Sequence, residues 1–169
     1  MNLNALLLPL EGLSEEQADA EGRRVFAELY TGSGFSGTMG LHGGGTATFF
    51  MDRWEKHASR TSSDRAKYPY AKDKIALDRI ARVKWIKEIL AGSVPGTECW
   101  HVRPQSGRNH PLDRLYVHWE YGYVVWLQPR MDGGWRFSSA FPAVKPEIKR
   151  FITGGSLQWR IEKEKENAP

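Results

Sequence analysis

Arg114 to Ala140 reads RLYVHWE-YG-YVVWLQP-RMDGG-WRFSSA. Three runs rich in Val, Trp, Tyr and Phe are parted by Tyr121-Gly122 and by Arg130-Met131-Asp132-Gly133-Gly134. β-Branched and aromatic side chains suit a pleated, half-buried surface, and Asp-Gly marks a hairpin turn. The stretch therefore predicts a three-stranded antiparallel meander. Side chains alternate across a strand. Leu115, Val117 and Trp119 go one way, and Tyr116, His118 and Glu120 the other. In the last run Trp135, Phe137 and Ser139 oppose Arg136, Ser138 and Ala140. One face is expected to cover a core. The other, with His118, Glu120, Arg136 and Ser138, is either a solvated outer face or the lining of a site.

Upstream, residues 1–31 hold six acids against Arg23 and Arg24. Ser14 followed by Gln17 is a capping-box pattern, and Ala18, Val25, Phe26 and Leu29 supply the apolar stripe of a helix over about Glu15 to Tyr30. Residues 32–45 are glycine-rich. Gly32-Ser33-Gly34-Phe35-Ser36-Gly37 fits GxGxxG, but no hydrophobic strand precedes it and no helix pattern starts within it, so a loop is expected and not a nucleotide fingerprint. Thr46 to about Arg60 reads as a second helix with Phe49, Phe50 and Trp54 on its apolar face and Lys56, His57 and Arg60 at its end. A polar connection spans Thr61 to Tyr70. Lys72 to Leu90 gives the strongest helical period, through Ile75, Val83, Ile86, Ile89 and Leu90. Arg79 and Arg82 fall within that stripe and Lys84 lies opposite it.

Downstream of the helices a strand is expected from Glu98. After the meander, Pro146-Glu147 opens a short helix through Phe151, and Ser156 to Ile161 alternates as a last strand. Glu162 to Pro169 is a charged tail expected to fray.

With 169 residues, one domain with one substantial core is expected. The net charge is +4, yet Arg53 to Glu88 alone holds eleven Lys or Arg against five acids. A basic helical block beside an aromatic sheet fits a protein that handles phosphates; a solvated basic face is the plain alternative. The single cysteine, Cys99, rules out an internal disulfide and a multi-cysteine zinc site. No apolar run has the roughly 18 residues of a membrane span. Leu6 to Leu10 lacks the basic leader of a signal peptide. A reducing, cytoplasmic setting without a membrane is expected.

The five histidines show no metal-ligand spacing, and neither a GxSxG elbow nor a carboxylate cluster is present. Neither a metal nor another cofactor is expected. What the residues suit is phosphoryl chemistry on RNA. It needs a group to move the 2′-OH proton, cations for the charge on the phosphorane and donors to hold the phosphate. His57 or His118 suits the first role. Arg79, Arg82, Lys84 or Arg136 suits the second, and Ser138 and Ser139 the third.

The order of these pieces resembles the barnase–EndoU–colicin–RelE group of nucleases, in its phage-encoded and polymorphic-toxin branch. The matching pieces are Lys56-His57 at a helix end, then Arg79-x-x-Arg82-Val83-Lys84-Trp85-Ile86. A strand from Glu98 and the meander ending in Phe137-Ser138-Ser139-Ala140-Phe141 complete the order. The resemblance runs from about Phe49 to Val144. It implies N-terminal helices on a small antiparallel sheet and RNA cleavage without metal. It places His57 as general base or acid, Arg82 with Arg79 on the phosphate, and Ser139 (or Ser138) as its positioner. Lys56, Lys84, His118, Arg136 and Trp135 complete the substrate-binding set. An immunity or antitoxin protein goes with the toxin branch.

The expectation is thus an α+β single domain: an acidic helix (1–31), a Gly-rich loop (32–45), a nuclease core (46–161) and a tail (162–169). Its sheet is a small antiparallel meander of three to five strands. Its function is that of a metal-independent endoribonuclease, with His57 and Ser139 sharing one phosphate. The rivals are a non-catalytic nucleic-acid-binding module and an inhibitor that docks on a host protein.

Overall fold

The computed structural model describes residues 1–60, 74–104 and 111–163. The polar connection expected over 61–70, the start of the helix expected from residue 72, and tail residues 164–169 lie outside them.

The chain opens with a 3-10 turn (Leu3–Leu6) and helix α1 (Glu15–Phe26), prolonged by a π turn (Ala27–Thr31). Ser14 and Gln17 form the expected reciprocal capping box. A hairpin of β1 (Ser36–Gly40) and β2 (Thr46–Phe50) follows, then a turn (Met51–Arg53) and α2 (Trp54–His57). A two-stranded ribbon pairs β3 (Ser59–Arg60) with β4 (Lys74–Ile75) ahead of α3 (Leu77–Ala81) and α4 (Trp85–Leu90). The sheet continues through β5 (Thr97–Val102), β6 (Asp113–His118), β7 (Tyr123–Pro129) and β8 (Trp135–Pro142), with α5 (Lys145–Ile152) before β9 (Ser156–Arg160).

The meander of β6, β7 and β8 is present and antiparallel. It is the centre of something larger. The sheet has seven strands in the order β1-β2-β8-β7-β6-β5-β9, and β2 runs parallel to β8. The fold is α+β, but the small antiparallel sheet of three to five strands is corrected to a seven-stranded mixed one. The extra strands come from the Gly-rich loop and from the start of the helix expected at Thr46. Within Thr46–Phe50 the side chains alternate across the strand: Ala47 and Phe49 enter the core, while Thr48, also buried, and Phe50 face the other way. β-Branched threonines and that period suit a strand, and the strand won over the weaker helical reading.

The helix expected through Leu90 is also corrected. Lys74–Ile75 is extended, and Arg82, at φ −101° and ψ 15°, breaks the remainder into α3 and α4. Arg79 and Arg82 therefore do not share one continuous stripe.

Both sheet faces are covered, which corrects the one-faced reading of the meander. On one face α1 to α4 pack over Cys99, Tyr116, Tyr123, Val125, Leu127, Phe137 and Ala140. Phe26 stands at the middle of this core, within 5.2–6.0 Å of the rings of Tyr30, Phe49, Trp54 and Phe137. Burying each such side chain is worth about 1.5–3 kcal/mol. On the other face α5 brings Ile148 to Leu115, Val117, Val124 and Trp126. Gly22 lets α1 approach closely: a Cβ there would lie 2.6 Å from Ile80 and from the Trp54 ring.

Candidate anion-binding cleft

Strand β2 stays beside β8 for only two pairs, Ala47 with Trp135 and Thr48 with Arg136. It then turns away into Met51–Arg53 and α2. The ladder of β8 is left open on that side from Phe137 onward. At the same place β8 carries a bulge: Trp126 pairs with Ser139 and Leu127 with Phe137, so Ser138 is the extra residue. Arg53 fills the opening. Its Nε donates to the Ser138 carbonyl, and an Nη donates to Ser138 Oγ at 3.1 Å. A side chain thus takes the place of the departed strand, because a main-chain carbonyl left without a partner is costly.

A cleft of about 680 Å³ opens here. Among the described residues its cations are Arg53, Lys56 and Arg136, its one acid is Asp52, and Gln128 and the rings of Phe35, Phe50 and Phe137 also line it. Phe35 is 66% exposed and lies 6.0 Å from Phe50, ring to ring. Arg130 stands over the Phe50 ring at 5.5 Å and donates to Thr48 Oγ1 at 2.7 Å. Arg136 donates to Gln128 Oε1 at 2.7 Å. The hydrogen-bond partners of Arg53 and Arg136 are thus neutral, and among the described residues neither forms an ion pair. Partial burial lowers the pKa of Arg53, the positive field of Arg136 lowers it further, and Asp52 opposes both. The two guanidinium groups repel each other across a cleft with a single carboxylate among the described residues, so an anion entering between them relieves the repulsion.

Three residues singled out from the sequence meet at this place: Lys56 and Arg136 line the cleft, and Ser138 braces Arg53. The others do not. His57 has no exposed surface and lies edge-on between Trp54 at 5.6 Å and Phe137 at 5.4 Å. Ser139 pairs with Trp126, on the α5 side of the sheet, while His57 lies against Phe137 on the side of α1 to α4. The two do not share one phosphate. Arg82 donates to the Asp78 carbonyl at 2.8 Å and lies over the Trp85 ring at 5.0 Å. Arg79 lies over the Phe141 ring at 5.0 Å. Lys84 precedes α4, and its charge reaches Glu21 of α1.

His118 is 2% exposed. Its Nδ1 accepts the Tyr121 N–H at 3.2 Å and its Nε2 lies 2.9 Å from the Pro95 carbonyl, a bonding set complete for a neutral ring. Trp135 precedes Arg136 but lies on the opposite face of β8, under the Arg114 guanidinium at 4.5 Å.

The residues that sequence reasoning passed over are Arg53, Asp52, Gln128, Phe35 and Phe50. The signal for Arg53 was slight: one cation among eleven in a basic block. Its place follows from where β2 leaves β8, a pairing between residues far apart in the chain.

No family model matches this chain, and neither does any curated protein or any solved structure. No described helix is long and apolar enough to cross a membrane. Among the described residues no group of three or more His, Cys, Asp or Glu side chains is placed to hold a metal ion.

Proposed function

We propose that this protein binds nucleic acid in the cytoplasm, and that a phosphate of a single strand, RNA first among the candidates, sits between Arg53 and Arg136. The observation that carries this reading is the pair of guanidinium groups facing one cleft with only neutral hydrogen-bond partners. Lys56 adds a third cation, and the Phe35 and Phe50 rings offer a base a surface to stack on. Cationic walls with interleaved aromatics suit a single strand, because phosphates supply charge and every base has a π face.

Binding without cleavage is the reading the geometry favours over the endoribonuclease. Cleavage asks a histidine to exchange a proton beside the phosphate. His57, sealed in the aromatic core, has no route to one unless that core opens. The resemblance to the toxin-like nucleases rests on the order of short motifs, and the immunity or antitoxin partner it implies rests on the same order.

The test is fluorescence anisotropy of a labelled single-stranded RNA against wild type, Lys56→Ala and Arg136→Ala, with EDTA present. Binding that weakens in both variants, with the RNA intact, is the expected result. Undiminished binding in both variants overturns the cleft. Cleavage by wild type that His57→Ala abolishes overturns the binding-only reading and restores the nuclease.

A further inference from the structure

The opposite face of β8 holds a second group of residues that the cleft does not use. Trp135 of β8, Arg114 of β6 and His101 of β5 come together across the sheet. The Arg114 guanidinium carbon lies 4.5 Å from the centre of the Trp135 ring. Arg114 Nε donates to His101 Nε2 at 3.4 Å. The His101 and Trp135 rings are 5.7 Å apart and inclined by 37°. All three are half-buried, so each is held in place and each still meets solvent.

The chemistry of the group is one-sided. A nitrogen that accepts from a guanidinium carries no proton, so the His101 proton sits on Nδ1 and the ring is neutral. Partial burial first, and the Arg114 charge second, lower the pKa of His101 and keep it so. His101 Nδ1–H and the remaining Arg114 N–H groups are donors, and no side chain of the trio offers a lone pair outward. Among the described residues Arg114 forms no ion pair with a carboxylate. The Arg114 guanidinium lies over a face of the Trp135 indole, and the stacked pair makes a flat surface beside the donors. Donors beside a flat aromatic wall suit an anion attached to a planar ring.

We propose that His101, Arg114 and Trp135 form a second ligand site, for a nucleoside monophosphate: the phosphate at the N–H edges of Arg114 and His101, the base against the stacked Arg114–Trp135 pair. The site lies across the sheet from Arg136 and stands independently of nucleic-acid binding in the cleft.

The test pairs calorimetry with NMR of the His101 imidazole on the whole chain, using AMP, inorganic phosphate and adenosine as probes. AMP should bind saturably and shift His101, phosphate should do so more weakly, and adenosine should leave His101 in place. Arg114→Gln should weaken AMP at least about tenfold, a change of about 1.4 kcal/mol. His101→Ala should weaken it in the same direction and serves as a second variant if Arg114→Gln folds poorly. No saturable response to AMP or phosphate, or an AMP affinity that neither variant changes, overturns the site. So does an AMP response confined to Arg53 and Arg136. Arg136→Ala should leave the His101 response intact, which separates failure here from failure in the cleft.

Discussion

Arg53 donates both to the main-chain carbonyl and to the hydroxyl of Ser138, at the point where β2 has left β8. The pair joins the hairpin side of the sheet to its centre. It also aims a guanidinium group at the cleft. One interaction therefore serves stability and the site together.

Ser138→Ala removes one acceptor of Arg53 and keeps the carbonyl. A loss of about 1 kcal/mol in stability is expected, the net worth of an ordinary hydrogen bond. RNA affinity should fall several-fold as Arg53 loses one of its two restraints. Ser139→Ala, at a hydroxyl that makes no hydrogen bond to Arg53, should leave affinity unchanged. Urea unfolding and anisotropy on both variants check the contrast.

His57 contributes packing within an aromatic cluster. His57→Ala should cost about 2–5 kcal/mol by opening a cavity beneath Trp54 and Phe137. At a temperature where the variant is still folded, RNA affinity should fall less than in Arg136→Ala. Calorimetric melting and anisotropy on the same sample separate the two effects.

The meander was legible in the sequence because its signal is local. Val124, Val125 and Trp126 suit a strand, and Asp132-Gly133 suits the turn that joins β7 to β8. The hairpin before it was not legible. β1 is Ser-Gly-Thr-Met-Gly, a composition that usually marks a loop. It is a strand here because β2 pairs with it, and Gly37 is required where a Cβ would lie 2.2 Å from the Tyr30 carbonyl. The site was half legible for a similar reason. Lys56 and Arg136 stand out as cations, whereas the choice between Ser138 and Ser139 is made by a bulge that strict alternation hides. The parallel pairing that places Arg53 joins residues more than eighty positions apart, and no local pattern reports it.

Gly22→Ala should destabilise the fold although alanine is the better helix former. The helix gains up to about 1 kcal/mol in propensity. The new methyl meets Ile80 and the Trp54 ring at 2.6 Å. Overpacking of that kind costs about 1–3 kcal/mol, and the close contact puts this case at the upper end. The urea midpoint of the variant checks the sign.

Glu98 should make the protein acid-sensitive. It is 3% exposed and accepts from Trp119 at 2.7 Å, from Trp100 at 3.2 Å and from Arg160 Nε at 2.7 Å. Burial alone would raise its pKa, but these donors outweigh burial and the pKa is lowered. A carboxylate with a folded pKa below its unfolded value near about 4.3 adds stability above that value. The contribution is lost as pH falls from there through the folded pKa. Glu98→Gln should lose about 1–3 kcal/mol at neutral pH and show a flatter decline in acid. Unfolding free energies measured from pH 7 to pH 3 test both parts, and an unchanged acid slope in the variant would remove Glu98 from the account.

In the proposed function Arg53 and Arg136 hold a phosphate between them. The most direct test is the slope of log affinity against log salt for single-stranded RNA, measured on wild type and Arg136→Gln. Each phosphate contact on a single strand contributes a slope of about −0.7. Weaker binding and a slope shallower by about that amount are expected in the variant. A slope that Arg136→Gln leaves unchanged, at unchanged affinity, would contradict this placement of the phosphate.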